Sequence, residues 1–326
     1  MKILVAPLNW GLGHASRCVP LVRRLQAEGH EVILGGDGES LTLLRKHFPT
    51  LRYTYLAPLN LRYSAGKSQV RAIARALPQL VSWAMKDHAM LQALLQEETI
   101  DQVISDNRFG LYSRKTECVY MTHQLHIMLP RGWKWAERIA SRVHARIYAR
   151  FNKVWVPDYK DIGQSLAGEL SHTNHLAFGH LQCTMEYIGP LSRFHNNPIH
   201  QNTLSTPNYE IVAVLSGLEP QRTILEKEII TRYGGKNERV LVVQGLMHRP
   251  NTRIKRGNIT IVPFMPDTEL VPALLGAKHI IARSGYSTIM DFNALDILDK
   301  TEFIPTPGQP EQEYLEGYIA QKSHKA

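Results

Sequence analysis

Two stretches of this chain carry residue types suited to holding an anionic ligand. The run Ala282 Arg283 Ser284 Gly285 Tyr286 Ser287 Thr288 Ile289 Met290 Asp291 follows an apolar segment and is rich in small and hydroxyl residues. It reads as a strand turning into a helix. A helix N-terminus carries about half a positive charge and several unpaired N–H groups, so Ser284, Gly285, Ser287 and Thr288 can hold a phosphate without a lysine. Asp291, further along that helix, can accept hydrogen bonds from ribose hydroxyls, as acidic residues do in other nucleotide-binding α/β folds. The second stretch, Pro305 to Gln312, turns at Pro307 Gly308 and presents Gln309, Glu311 and Gln312, side chains suited to sugar hydroxyls.

The N-terminus supplies a partner motif. Leu8 Asn9 Trp10 Gly11 Leu12 Gly13 His14 follows a first apolar strand. Gly11 and Gly13 allow close backbone approach, and His14 stands just before a helix. A neutral imidazole can take a proton from an attacking hydroxyl, which makes His14 the first candidate base. Asp106, in Ser105 Asp106 Asn107 Arg108 at the end of another strand, competes for that role or caps a helix and pairs with Arg108. Asn107, His123 and Gln124 also follow short apolar strands and are candidate acceptor contacts.

These motifs in this order resemble the two ends of glycosyltransferase family 28, whose best-known member adds N-acetylglucosamine to a lipid-linked peptidoglycan precursor. The resemblance spans both halves of the chain. It implies a GT-B fold, α/β with two doubly wound Rossmann-like domains facing across a cleft. It further implies an inverting, metal-independent transfer from a nucleoside diphosphate sugar, expected to be UDP-linked, to an acceptor hydroxyl. In the resembled family the opening loop faces an acceptor diphosphate, which places Gly11, Gly13 and His14 there. Phe264 and Met265 match the place where the nucleobase is held. Glu311 and Gln312 match a polar pair beside the donor. Arg222, in Ser216 to Arg222, matches an arginine that faces the diphosphate, although Glu219 and Pro220 stand where the family has a glycine-rich turn. A nucleotide-sugar 2-epimerase or hydrolase of the same fold, and a non-catalytic nucleotide-sugar-binding protein, are alternative readings.

Stepwise alternation of apolar strands and amphipathic helices sets the frame for these residues. Strands are expected at 2–6, 31–34, 102–105, 119–122 and 153–156, with helices at 15–28, 39–48, 67–96 and 133–151. Pro78 should break or kink the third helix. Strands at 210–215, 239–243, 259–263 and 279–282, with helices at 220–232 and 267–275, repeat the pattern, which implies parallel sheets. Residues 191–207 are rich in Asn, Ser, Pro and His and read as a linker between a domain at 1–190 and one at 208–326. Only Tyr314 to Ala326 follow Glu313, so the helices by which GT-B chains return to the N-terminal half are expected to be curtailed.

The 326 residues suit two cores, and a net charge of +9 favours anionic partners. No DNA- or RNA-binding module is recognisable, so nucleic acid is not an expected partner. Three cysteines without a CxxC pair and 15 histidines without zinc spacing give no metal site. No cofactor is expected. The reduced cysteines and the lack of a signal-like or membrane-spanning run point to the cytoplasm. Trp135, Ile139, Val143, Ile147 and Phe151 run at four-residue spacing beside Arg138, Arg142, Arg146 and Arg150. That helix packs on its own sheet, or lies peripherally on an anionic membrane surface near a lipid-linked acceptor.

Overall fold

The computed structural model describes residues 1–59, 69–172, 183–195, 209–217, 219–247, 249–250 and 252–323. Most of the segment expected to be a linker, residues 196–207, lies outside them.

A seven-stranded sheet holds β1 (Lys2–Pro7), β2 (Glu31–Gly36), β3 (Tyr53–Tyr55), β4 (Gln102–Asp106), β5 (Glu117–Met121), β6 (Lys153–Val156) and β7 (Thr184–Tyr187). Its strand order is β3-β2-β1-β4-β5-β6-β7, parallel throughout. Both faces are covered, one by the cluster of Val5, Val19, Leu34 and Ile104, the other by Leu4, Val103, Tyr120 and Val154. That double burial is why β1 reads as a continuous apolar run, Ile3 to Ala6, without alternation. The helices are α1 (Gly13–Ala27), α2 (Gly38–His47), α3 (Gln69–Glu97) and α4 (Glu137–Tyr148).

A six-stranded sheet follows, with β8 (Ile211–Val214), β9 (Val240–Val243), β10 (Ile254–Arg256), β11 (Ile259–Val262), β12 (His279–Ala282) and β13 (Thr301–Phe303) in the order β10-β11-β9-β8-β12-β13. Only the β10 edge is antiparallel. Its helices are α5 (Gln221–Tyr233), α6 (Asp267–Gly276), α7 (Tyr286–Ala294) and α8 (Pro310–Ser323). The strand order reverses between β1 and β4 in one sheet and between β8 and β12 in the other. Ligands of open α/β sheets bind outside the carboxyl ends of the strands at such switch points.

Two expectations are corrected, and four strands are added. Helix α3 runs unbroken through Pro78. Pro78 lies on the exposed side, where the carbonyl that loses its partner can meet water. The short edge strands β3, β7, β10 and β13 carry too few residues to show a period and were not anticipated. The C-terminal segment does return to the first sheet's half. Tyr314 Oη accepts from the Glu169 amide (2.8 Å), Tyr318 Oη donates to Ser165 O (3.0 Å), and Lys322 Nζ donates to Gln164 O and Ser165 O. These contacts seat α8 against Gly168, whose φ of +54° and close approach to the two tyrosines leave no room for a side chain.

Candidate active site

The opening loop after β1 and the turn after β12 meet. Ser287 Oγ donates to Gly13 O at 2.9 Å, and a Cβ on Gly13 would stand 3.0 Å from that hydroxyl. A Cβ on Gly11, at φ +77°, would stand 4.0 Å from the Gly217 Cα. Small residues at both places let the N-termini of α1 and α7 face each other. Gly285 caps α7 without a side-chain hydrogen bond. Ser284 is buried, and its hydroxyl donates to Gln312 O (2.8 Å), tying the α7 turn to the start of α8. Thr288 lies in the first turn of α7.

His14 and Asp106 come together. His14 Nδ1 lies 3.0 Å from Asp106 Oδ1. Asp106 is wholly buried and cannot serve as an exposed base. Its partner is not Arg108 but Arg17, whose Nε donates to Oδ2 at 2.7 Å and whose Nη2 donates to Oδ1. Burial works to raise the Asp106 carboxyl, but Arg17 and His14 beside it hold it well below the usual carboxylate range. Arg108 instead pairs with Asp37 (2.8 Å) and Asp87 (2.8 Å) in a separate buried cluster. Asn107, with φ of +59°, accepts from the Tyr120 hydroxyl at 2.8 Å.

Arg17 was not anticipated, although its place three residues after His14 puts both on one helix face. Its Nη1 lies 3.1 Å from His123 Nδ1, and its Nη2 lies 2.9 Å from His14 Nδ1. His123 and Gln124 reach across to the other half: His123 Nε2 is 2.8 Å from Glu311 Oε1, and Gln124 Nε2 donates to Glu311 Oε2. The His123 ring stacks on Tyr286 with centroids 4.3 Å apart and planes 12° off parallel. Burial lowers the His123 imidazole pKa from its ordinary value against the pull of Glu311. Burial would raise the Glu311 carboxyl, but His123, with His14 and Arg17 nearby, more than reverses it and holds the group below its ordinary value.

Several predicted donor residues are engaged elsewhere. Arg222 is buried and does not face open space: its Nε donates to Glu219 (2.9 Å) and its Nη1 to Glu226 (3.0 Å). Acidic residues three before and four after it lie on its own side of the chain and take its charge. Asp291 is buried, accepting from Ser192 Oγ (2.7 Å) and Ser16 Oγ (3.4 Å) with Arg193 Nε at 3.4 Å. It clamps α1 to the segment entering the second sheet, and a ribose would have to displace one of these partners. Met265 is half-buried against the core of the second sheet. Phe264 is half-buried, with Lys46 Nζ of α2 4.0 Å over its ring. Gln312 holds the Thr306 amide at 2.8 Å and donates to Gln309 Oε1 at 2.5 Å. Among the described residues no group of three or more His, Cys, Asp or Glu is placed to hold a metal ion.

The predicted 133–151 helix is a 3₁₀ segment (Arg131–Ala136) followed by α4. Its buried side is Ser141, His144, Ala145 and Tyr148, while Trp135 (70% exposed), Ile139 (55%) and Val143 (50%) face solvent. Packing on the sheet is therefore not the work of this stripe. Four-residue spacing advances about 40° per step on a helix, so the stripe winds toward the packed side by Ile147, which is half-buried; Phe151, beyond the end of α4, is buried. Arg138, Arg142 and Arg146 are exposed beside it. Among the described residues no helix is long and apolar enough to cross a membrane.

This architecture has known counterparts. A Methanosarcina acetivorans protein named "Uncharacterized glycosyltransferase" is 26% identical over 96% of this chain and 82% of its own length. A Methanosarcina mazei protein of the same name is 22% identical, covering 99% of this chain and 84% of its own. Among solved structures, the calicheamicin glycosyltransferase CalG4 superposes with a TM-score of 0.57 at 12% identity, over 99% of this chain and 92% of that one. Arabidopsis thaliana UGT89C1 complexed with UDP-L-rhamnose gives 0.55 at 14% identity, over 99% and 92%. No protein-family model matches the chain. The fold is GT-B.

Proposed function

We propose that this protein is an inverting glycosyltransferase related to family 28, which moves a hexose or N-acetylhexosamine from a nucleoside diphosphate, UDP in the first instance, to an acceptor hydroxyl. The observation that carries the reading is the His14–Asp106 pair, set at the start of α1 opposite the uncapped start of α7. We assign the His14 Nδ1 proton to the side of Asp106 Oδ1, 3.0 Å away, with Arg17 Nη2 donating to Asp106 rather than to the ring, and this tautomer leaves the Nε2 lone pair for catalysis. As the acceptor hydroxyl attacks the anomeric carbon, its proton passes to Nε2. The bond from that carbon to the diphosphate oxygen breaks on the opposite side, and the electron pair leaves with the diphosphate. The α7 amides and the Thr288 hydroxyl stabilise that charge. Glu311 and Gln312 are assigned to donor hydroxyls. Named glycosyltransferases among both the sequence relatives and the fold neighbours support the class.

The acceptor side includes a surface. The exposed Trp133, Trp135, Ile139 and Val143, flanked by exposed arginines, suit the interface of an anionic bilayer, where each basic residue contributes about 1 kcal/mol. Leu77, Val81 and Met85 on α3 expose a further apolar stripe, and α3 and α4 pack on the same face of the first sheet. A lipid-linked acceptor would be met there.

Calorimetric titration with UDP, UDP-N-acetylglucosamine, UDP-glucose, GDP-mannose and dTDP-glucose tests the donor reading. Saturable binding to one nucleotide class is expected, and binding to none overturns it. Co-sedimentation with vesicles tests the surface. Binding is expected with phosphatidylglycerol-containing vesicles and not with pure phosphatidylcholine. It should fall at least tenfold in the Trp135→Ala, Ile139→Ala double variant, and equal binding by that variant removes the surface from the reading.

A further inference from the structure

We propose that His123, held by Arg17, and Gln124 are specificity-determining positioning residues for the donor sugar. This reverses their expected place on the acceptor side, and it rests on the reading above that the cleft takes a nucleoside diphosphate sugar. The geometry begins at Glu311. Its two carboxylate oxygens each accept one side-chain hydrogen bond, from His123 Nε2 (2.8 Å) and from Gln124 Nε2. Each oxygen keeps further lone-pair capacity. A carboxylate held at both ends cannot rotate, so its remaining lone pairs point in set directions. That is what reading the positions of sugar hydroxyls requires, because a freely turning carboxylate would accept from any epimer.

The holder is itself held. Arg17 Nη1 donates to His123 Nδ1 (3.1 Å), and a neutral ring that accepts there must carry its proton on Nε2, facing Glu311. Arg17 is 1% exposed and its other nitrogens clamp Asp106, so it has little freedom to turn away. The ring plane is set by the stack on Tyr286, whose hydroxyl donates to Pro157 O at 2.7 Å. His123 and Gln124 follow β5 of the first sheet, whereas Glu311 opens α8 after the second. The sugar-reading carboxylate is therefore oriented only when the two halves are together. Nucleotide contacts made by the second half alone do not need that closure.

The test separates sugar from nucleotide. Calorimetry gives the dissociation constants of UDP, UDP-glucose, UDP-galactose and UDP-N-acetylglucosamine for the full chain and two variants. His123→Phe keeps the stack on Tyr286 and deletes both hydrogen bonds. His123→Gln keeps a nitrogen donor for Glu311. In the unaltered protein the tightest sugar nucleotide binds more strongly than UDP. His123→Phe should leave UDP within twofold and lower that preference at least fivefold, and His123→Gln should restore most of it. A preference unchanged in His123→Phe, or lost together with UDP affinity, overturns the proposal, as does a wild-type protein that binds UDP with no preference for any sugar. Failure of the unaltered protein to bind any of these four probes, GDP-mannose or dTDP-glucose instead overturns the donor reading beneath it.

Discussion

Replacing Asp106 by asparagine tests the buried polar centre most directly. The substitution keeps the side chain's shape and removes its charge, leaving the guanidinium of Arg17, 1% exposed, without its carboxylate. Deleting one partner of a buried ion pair typically costs about 3–5 kcal/mol, because the other charge stays buried and uncompensated. At roughly 2–4 °C per kcal/mol for a domain of this size, the melting temperature should fall on the order of 10 °C. Adding Arg17→Met should recover at least half of the loss, since the stranded charge goes with it. The pH dependence has a defined sign. The folded-state pKa of Asp106 is depressed, so the pair's contribution is fully present above the ordinary carboxylate range and is lost as pH falls through the folded value. The deficit of Asp106→Asn should therefore be flat from about pH 5 to 8. Urea denaturation of the parent, both single variants and the double variant, at several pH values, supplies the numbers. A single-variant loss under about 1 kcal/mol, or a double variant less stable than either single, would refute the assignment of Arg17 as the charge that Asp106 neutralises.

Three further outcomes follow from the geometry. Burial lowers the His144 pKa from 6.5 to about 4, so the unfolded chain takes up a proton that the folded chain does not between those values. Stability should decline by about 3 kcal/mol as pH drops from 6.5 to 4, and His144→Gln should flatten that part of a urea-denaturation pH profile. Arg222→Gln should change UDP affinity by less than twofold in calorimetry, because Glu219 and Glu226 already take the guanidinium; a tenfold loss would restore Arg222 to the diphosphate. Gly13→Ala should cost about 1–3 kcal/mol by crowding the Ser287 hydroxyl, and Ser287→Gly should relieve it in a thermal melt of the double variant.

Much of the frame was legible along the chain. The apolar runs at β1, β8 and β12 announce parallel strands, because strands buried on both faces need apolar residues throughout. The loop ending at His14 and the turn from Ser284 to Thr288 were recognisable because small residues between a strand and a helix leave amides free, a local property. Asp106 was legible as chemistry but not as a role, since a strand-end aspartate looks the same whether exposed or sealed.

Neighbours along the chain decide the order of strands and helices, the glycine turns, and the spacing that puts Arg17 on the face of His14. Tertiary structure alone decided which charges meet. Asp106 takes Arg17 from 89 positions away, and Glu311 takes His123 from 188 away. It also decided which stripe of α4 meets water, because helical periodicity defines a face but not what lies against it. The physical reason is range. Backbone preference and periodicity act within a few residues, whereas burial, and with it the strength of each charge's need for a partner, exists only once the two sheets and α8 have enclosed the site.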